Sequence, residues 1–287
     1  MAEIYSDDAI EAGSGKGAGD ENFPVGSFLI APPLRPHVAA YYDFARAADD
    51  IGDHEELRAE EKLRRLDAFR QVLRGEATGL SKPEQLRAAL LETAVPVERG
   101  TDLLDAFSQD AVKSRYASLD ELIGYCRMSA NPVGQFLLDL HGEDRALFPA
   151  SDALCTSLQI LNHLQDCGDD LREIDRNYLP QAWLDEEGAA VEDVLQDTAS
   201  PGLRRVIDRL LDVCCELNGQ AEELVSGLKS RRLAAESAVI VKLAKRLHDR
   251  LRVGDPLAER VALSKTDFIA AGAVGLWQSA FPPKRAA

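Results

Sequence analysis

The chain carries two widely separated groups of acidic residues in which the carboxylates recur every four positions. Asp49 and Asp53 form the first group, and Asp166 and Asp170 follow Asn162 in the second. Four residues of an α-helix rise about 6 Å and turn about 40° past a full circle, so each group shares one helix face. If the two faces turn toward each other, they form a cage of oxygen ligands that suits Mg²⁺, whose remaining positions take water or substrate phosphate. The spacing therefore predicts chemistry on a diphosphate.

Polar residues accompany both acidic groups at helical spacing. Arg46 lies three positions before Asp49, and its guanidinium fork suits phosphate oxygens, so it is either a diphosphate ligand or one half of a helix salt bridge. Tyr42 is either a hydrogen-bond donor to phosphate or a core aromatic residue. Gln159 lies one turn before Asn162 and offers an amide to a metal-bound water or a carboxylate.

Charge and cysteine content narrow the class of protein. The 287 residues carry a net charge of −16, which argues against a nucleic-acid partner because such binders present a basic face. The same charge repels an anionic substrate unless a cation bridges the two. Five cysteines, an odd number without C-x-x-C spacing, are expected to be reduced thiols packed mostly as small apolar groups.

The chain ends predict a cytoplasmic protein. Residues 1–20 are polar, acidic and Gly-rich, unlike a secretory leader, and we expect a disordered tail there. No apolar run reaches the roughly 20 residues that cross a bilayer. The segment Phe268–Trp277 is either a final core helix or a segment that dips into a membrane surface, which would place the protein at the inner face of the membrane. Residues 279–287 are expected to form a flexible tail.

Apolar residues recur at helical spacing almost without interruption from Pro32 onward. The strongest pattern runs from Glu55 to Leu73, and further helices are predicted for 119–140, 151–171, 203–228 and 230–251. Breaks fall at clusters of Gly, Pro and Asn. This pattern predicts an all-α fold: one bundle of nine or ten helices over residues 21–278, without a sheet. Such bundles build metal sites from side chains on facing helices.

Three motifs together resemble the squalene/phytoene synthase family. They are Asp49-Asp50-Ile51-Gly52-Asp53, the segment Gln159–Asp170 with its trailing Arg176-Asn177-Tyr178-Leu179-Pro180, and the central segment Gly124–Gly134. The resemblance runs from about Asn22 to Leu276. It implies an isoprenoid-synthase-type helical bundle with a central cavity. In such a bundle the aspartates hold Mg²⁺, which binds and ionises an allylic or cyclopropylcarbinyl diphosphate.

The resemblance also implies roles for individual residues. The expected metal ligands are Asp49, Asp53, Asn162, Asp166 and Asp170, of which the four aspartates are the catalytic candidates. The expected substrate-binding residues are Tyr42, Arg46, Asp50, Arg127, Gln159, Arg176 and Tyr178. Arg127 has an alternative as a structural ion pair, and Lys113 is a weaker phosphate candidate. His163 points about 100° away from the Asn162 face, which favours a structural histidine.

Departures from the family pattern point to one of its branches. Met128 stands where squalene synthases commonly have a tyrosine, and Ser129-Ala130-Asn131 replaces a common Val-Ala-Gly. These variants resemble the bacterial hydroxysqualene synthases, which add water to presqualene diphosphate. No Gly-x-Gly-x-x-Gly motif suggests use of NADPH. The alternatives are head-to-head condensation of two prenyl diphosphates and a catalytically silent lipid-diphosphate-binding homologue. The expected partners are presqualene diphosphate, a membrane surface in peripheral contact, and other squalene-pathway enzymes in functional coupling.

Overall fold

The computed structural model describes residues 3–4 and 29–280, with side chains from 29 to 276. It confirms the all-α prediction. Within residues 29–280 there are twelve α-helical segments: α1 Arg35–Asp53, α2 Ala59–Arg74, α3 Ser81–Thr93, α4 Glu98–Asp110, α5 Leu119–Ser129, α6 Asn131–Leu140, α7 Phe148–Ile174, α8 Gln181–Glu187, α9 Pro201–Gln220, α10 Glu222–Gly227, α11 Arg231–Val253 and α12 Lys265–Ala280. Short 3-10 helices occupy Pro32–Leu34, Arg145–Leu147 and Val191–Leu195.

Local chemistry explains where several helices begin and end. Ser118 and Ser230 start α5 and α11, because each side chain accepts a hydrogen bond from a backbone N–H of the first turn. Gly75 ends α2 in the left-handed region at φ 79°, where glycine carries no steric penalty. Two predicted helices are interrupted, at Ala130 between α5 and α6 and at Ala221 between α9 and α10.

A two-residue parallel pairing joins β1 (Glu3–Ile4) to β2 (Ala77–Thr78). This small sheet was not predicted, and its first strand lies inside the segment expected to be disordered. Residues 1–2 and 5–28 lie outside the described residues, and so do residues 281–287 of the expected C-terminal tail. Backbone helix continues to Ala280, so positions 279 and 280 are helical. Among the helices of residues 29–280, none combines the length and the apolar character needed to cross a membrane.

The chain forms two compact units, of which the first comprises the described residues of 1–113 together with 132–142. Its core is aliphatic and aromatic. Phe44 and Phe69 are fully buried, and Tyr41 stacks on Phe136 with ring centroids 4.0 Å apart. The Tyr41 hydroxyl donates to the carbonyl of Arg99 at 2.8 Å. This packing fixes α1, and with it the first acidic group, against α3 and α4.

The second unit comprises residues 114–131 and the described part of 143–287. Its longest helix is α7, whose 27 residues pack against α5, α9 and α11. Ser157 of α7 donates to the Asn218 side chain of α9 at 2.9 Å, a polar contact inside the apolar interface. All five cysteines lie in this unit and are free, which confirms the thiol prediction; the three buried ones are Cys126, Cys167 and Cys214.

Candidate functional site

The first acidic group lies in the last turns of α1, where the helix dipole disfavours negative charge. The last turn contains no basic residue. Arg46 reaches forward instead: its Nη1 lies 3.0 Å from Asp49 Oδ2 and its Nη2 lies 2.6 Å from Asp50 Oδ1. The salt-bridge interpretation of Arg46 is thus realised in the structure. Asp50 is buried, whereas Asp49 and Asp53 are partly exposed.

Asp49 occupies an environment that is poor in positive charge. Burial raises the pKa of its carboxyl to about 8; Asp53 raises this pKa further, Arg46 lowers it, and Asp110 and Asp50 raise it. Asp110 is the last residue of α4 and is itself buried. Sequence reasoning missed Asp110 as a neighbour of the first acidic group. Its position three residues after Phe107 on the buried face of α4 was the signal that it belongs beside the first acidic group.

The donor set of the first unit fits a divalent cation. In the part of the chain that the structure describes, no three or more His, Cys, Asp or Glu side chains form a ready-made metal cluster. Mg²⁺ rarely uses such all-protein cages, because it keeps several waters and binds through one or two carboxylates plus substrate phosphates. Asp49 and Asp53 supply two carboxylates. They repel each other, and a bound cation would offset this repulsion.

The second acidic group lies on α7. Asn162, Asp166 and Asp170 are all partly exposed on one helix face, while Leu161 and Leu164 on another face are buried. The neighbouring Asp169 is exposed and pairs with Arg172 at 2.7 Å. The predicted face is therefore present. The first acidic group belongs to the first unit and the second group to the second unit, so their joint action on one ligand stays a prediction.

His163 is held by its neighbours on α7 and in the loop that follows. Its Nε2 lies 3.2 Å from the amide nitrogen of Gln159, and its ring stacks on Tyr178 with centroids 3.4 Å apart. Burial lowers the pKa of His163 to about 3, and the charge of Arg176 lowers it further. The ring is neutral at physiological pH. These contacts are those of a structural histidine, and they also engage Gln159.

The loop after α7 carries the predicted Arg176 and Tyr178. Asp175 ends the helix in the left-handed region at φ 51°, and Arg115 holds it by binding both its carbonyl and, at 2.5 Å, its carboxylate. The backbone N–H of Asn177 donates to the carbonyl of Ser114 at 2.9 Å. Arg176 is buried, and its Nη1 donates to the Tyr178 hydroxyl at 3.2 Å. The structure therefore brings Arg176 and Tyr178 together, and their contact with a diphosphate stays a prediction.

Three tyrosines and His163 form an aromatic cluster beside this loop. Tyr178 lies between the rings of His163 and Tyr116, and its centroid is 5.4 Å from that of Tyr116. Tyr125 of α5 contacts Tyr116 and Tyr178 at 5.5 and 5.6 Å. Sequence reasoning missed this cluster, because its members lie on α5, α7 and two loops and share no local spacing.

The remaining predicted residues differ in exposure. Arg127 is exposed at the end of α5, although Tyr125 and Cys126 beside it are buried. Tyr42 is partly exposed on α1. Asp193, which has the same four-residue spacing to Asp197, accepts hydrogen bonds from the Ala190 N–H and the Ser200 hydroxyl. Asp193 therefore caps a 3-10 helix.

Comparisons with known proteins agree with the motifs. The sequence pattern of the squalene/phytoene synthase family matches residues 17–267. The hydroxysqualene synthase of Rhodopseudomonas palustris is 45% identical over 92% of this chain and 90% of that protein, and that of Zymomonas mobilis is 42% identical over 88% and 86%. A crystal structure of a squalene synthase from Alicyclobacillus acidocaldarius superposes with a TM-score of 0.71 at 32% identity, covering 80% of this chain and 87% of that one.

Proposed function

The chain belongs to the squalene/phytoene synthase family, and we propose that it is a Mg²⁺-dependent hydroxysqualene synthase. It would convert presqualene diphosphate and water into hydroxysqualene and diphosphate. The observation that carries this proposal is the identity of 45% and 42% to two hydroxysqualene synthases over most of each chain. Met128, at the position where squalene synthases commonly have tyrosine, supports the same branch.

The atoms of the reaction balance without a reductant. The bond from carbon to the diphosphate oxygen breaks, and diphosphate leaves with the bonding electrons. The cyclopropylcarbinyl cation rearranges, the oxygen of a water molecule bonds to carbon, and that water loses a proton. NADPH would be needed only if hydride, rather than water, captured the cation.

We assign the metal to the two acidic groups, with Asp49 and Asp53 on α1 and Asn162, Asp166 and Asp170 on α7 as ligands. When bound, Mg²⁺ supplies Lewis-acid stabilisation of the developing negative charge on diphosphate, an effect worth several kcal/mol. The carboxylate pair on α1 supports this assignment, because Asp49 and Asp53 repel each other in a partly desolvated place.

In this proposal, side-chain hydrogen-bond donors of the protein bind the departing diphosphate. Arg176 is buried and donates to Tyr178, so its guanidinium is already oriented and loses little freedom when it meets phosphate oxygens. Arg46 orients Asp49 and Asp50 by direct ion pairs rather than acting first as a phosphate ligand. Tyr42, Gln159 and Arg127 remain proposed substrate contacts. Exclusion of bulk water by the helices would protect the cation until one water captures it.

The chemistry of the substrate also bears on location. Presqualene diphosphate and the C30 alcohol are largely hydrocarbon, so we propose that the enzyme works at the cytoplasmic surface of a membrane and next to other enzymes of the squalene pathway. Both statements extend beyond the family assignment and are separate from the reaction itself.

Product analysis tests the reaction directly. The purified chain is incubated with presqualene diphosphate and Mg²⁺ in H₂¹⁸O, without NADPH, and the products are analysed by mass spectrometry. We expect a C30 alcohol that carries ¹⁸O. Parallel incubation with farnesyl diphosphate examines condensation.

Two results would replace the proposal. Squalene formed only with NADPH would identify a squalene synthase, and presqualene diphosphate accumulating from farnesyl diphosphate would identify a condensing enzyme. An Asp49→Asn variant serves as the inactive control, and Asp43→Asn on the same helix serves as the active one. If the chain turns over neither substrate, it is a silent homologue.

A further inference from the structure

Helix α12 presents its large apolar side chains to solvent. Ile269 is 72% exposed and Leu276 is 63% exposed, and Phe268 beside them is 40% exposed. Ile269 and Leu276 are seven residues apart, so they share one helix face within about 20°. A surface helix of a globular protein normally turns such residues toward the core.

The opposite face of α12 packs against α11 through a small or charged residue in each turn. Asp267, Ala271 and Gly275 are buried at four-residue intervals. Asp267 and Ala271 lie about 160° around the helix from Ile269, and Gly275 lies about 120° from it. The packing of α12 on α11 thus does not require the exposed apolar side chains. The packing of α12 on α11 therefore does not explain why these apolar side chains are present on the helix.

Asp267 fixes the orientation of α12. Its carboxylate accepts hydrogen bonds from Arg246 Nε at 2.9 Å and Arg250 Nη2 at 2.6 Å, both on α11. It also accepts from the backbone N–H of Ser264 at 2.7 Å, just before the helix starts. With a further hydrogen bond from the Ser264 hydroxyl, Asp267 accepts four hydrogen bonds. These contacts fix the rotation of α12 about its axis with Ile269 and Leu276 facing outward.

Basic residues lie on α11 where it packs against α12 and at the start of α12. Lys242, Arg246 and Arg250 recur every four residues along the side of α11 that meets α12, and Lys265 begins α12; Lys242, Arg246 and Lys265 are exposed. Residues 231–287 contain eleven Lys and Arg against five Asp and Glu, a net charge of +6, so residues 1–230 carry −22 within a chain of −16. Lys265 lies four residues before Ile269 and is turned only about 40° from it, so this exposed cation flanks the apolar line.

We propose that the outward face of α12, with Lys242 and Lys265 beside it, is a docking surface for a lipid bilayer that contains anionic lipids. Apolar side chains above a basic flank are the chemistry of helices that lie in the membrane interface, where apolar burial and attraction to anionic headgroups add. A very acidic protein needs such a local reversal of charge to approach an anionic surface. Because the C30 product is largely hydrocarbon, docking would let it pass directly into the bilayer; this part of the argument rests on the proposed function.

Vesicle flotation measures the docking without any substrate. The purified full chain is mixed with vesicles of phosphatidylcholine alone or of an equal mixture of phosphatidylcholine and phosphatidylglycerol. We expect binding to the mixed vesicles that weakens at high salt. The double variant Ile269→Ser/Leu276→Ser should bind at least about tenfold more weakly, because the apolar area that enters the bilayer is lost. Lys242→Gln/Lys265→Gln should lose most of the preference for the anionic vesicles.

Matched variants distinguish binding through this face of α12 from nonspecific binding of the protein to vesicles. Leu91 on α3 is 67% exposed, so Leu91→Ser removes a similar apolar group from a different surface and should bind vesicles like the wild type. Arg74→Gln, which removes an exposed cation at the end of α2, is the control for charge. Circular dichroism and thermal unfolding check that each variant is folded.

Three outcomes would overturn the proposal. They are a wild-type chain that does not float with the mixed vesicles, equal losses in the α12 variants and the Leu91→Ser control, and a wild-type dimer that the Ile269→Ser/Leu276→Ser variant alone dissociates. Turnover in detergent is measured in parallel. Lost vesicle binding with normal turnover would show that docking, rather than the proposed reaction, has been removed, whereas failed turnover with intact binding would reject the reaction alone.

Discussion

Arg46 divides the acidic residues of α1 into two kinds. Asp50 is buried and lies 2.6 Å from the guanidinium, so its charge is already compensated. Asp49 shares the same arginine but also faces Asp53 and Asp110, and the pKa of its carboxyl remains raised to about 8. Asp49 and Asp53 are therefore the carboxylates of this helix with most to gain from a cation.

Removing one carboxylate from either acidic group should slow turnover without unfolding the protein. We expect Asp49→Asn and Asp166→Asn each to lose at least about a hundredfold in rate, which corresponds to about 2.7 kcal/mol of transition-state stabilisation. Steady-state kinetics measures the loss, and circular dichroism verifies the helices. Asp43→Asn on α1 and Asp169→Asn on α7 are the matched controls, because these residues are outside the two faces and pair with Lys82 and Arg172. Equal losses in all four variants would contradict the assignment.

Spacing predicted the candidate site residues that share a helix, and it failed where contacts join distant segments. The face of Asn162, Asp166 and Asp170 follows directly from the helical repeat. Arg115 lies far from Asp175 along the chain, and no local pattern indicates that its guanidinium holds this residue. The left-handed backbone at Asp175 also escaped prediction, because aspartate adopts it only where the surroundings compensate its steric cost.

At the scale of elements, the loop after α7 depends on Arg115. Replacement of Arg115 by Gln should loosen the backbone around Asp175 and displace Arg176. We expect KM for the diphosphate substrate to rise by about three- to tenfold, because roughly 1 kcal/mol of pre-organised binding is lost. Arg172→Gln removes an exposed cation near the same helix end and should leave KM within about twofold of the wild type, the small effect usual for surface pairs. An equal rise in both variants would indicate a general charge effect.

The junction of α11 and α12 depends on Asp267. Hydrogen bonds from Ser264 hold the pKa of its carboxyl well below the usual range, and Arg246 and Arg250 lower it further. Because the folded-state pKa lies below the unfolded one, the stabilisation is complete above about pH 4 and is lost as pH falls through the folded-state pKa. Asp267→Asn should lower the free energy of unfolding by about 2 kcal/mol at neutral pH, since charged partners lose their acceptor.

Urea unfolding at several pH values measures this effect. The difference between wild type and Asp267→Asn should shrink as the pH is lowered below about 4, because the carboxyl then takes up a proton in the unfolded chain first and, at still lower pH, in the folded protein. The exposed Asp249 on α11 provides the control, and Asp249→Asn should change stability little. A difference between wild type and Asp267→Asn that does not vary with pH would contradict the role of the charge.

Helices were predicted better than their interruptions. The helical pattern of Glu55–Leu73 corresponds to α2, although the helix begins only at Ala59. The pattern of 119–140 continues through Ala130 without a break, because apolar periodicity does not register a local change of backbone direction. Pro132 is tolerated in the first turn of α6, where its missing N–H has no helical partner. The pairing of Glu3–Ile4 with Ala77–Thr78 is too short to leave a strand pattern in the sequence.

At the scale of the whole molecule, a net charge of −16 opposes the approach of a diphosphate. Removal of divalent cations with EDTA should therefore abolish both turnover and binding of the substrate, and Mg²⁺ should restore them. Isothermal titration with a non-hydrolysable substrate analogue measures binding independently of turnover. NaCl at matched ionic strength is the control, because it screens charge without bridging two anionic groups. Undiminished turnover after thorough metal removal would refute the dependence.

The distribution of cysteines makes opening of the second unit measurable by thiol labelling. The pKa of the buried Cys167 and Cys214 thiols is raised to about 12 by burial, and that of Cys126 is raised as well, so these groups are almost entirely unreactive while buried. Residues 1–113 and 132–142 contain no cysteine. An alkylating reagent therefore modifies the exposed Cys215 at once and the buried thiols only when the second unit opens. The rate of the slow labelling phase therefore measures how often the second unit opens, and opening of the first unit does not contribute because it has no thiol.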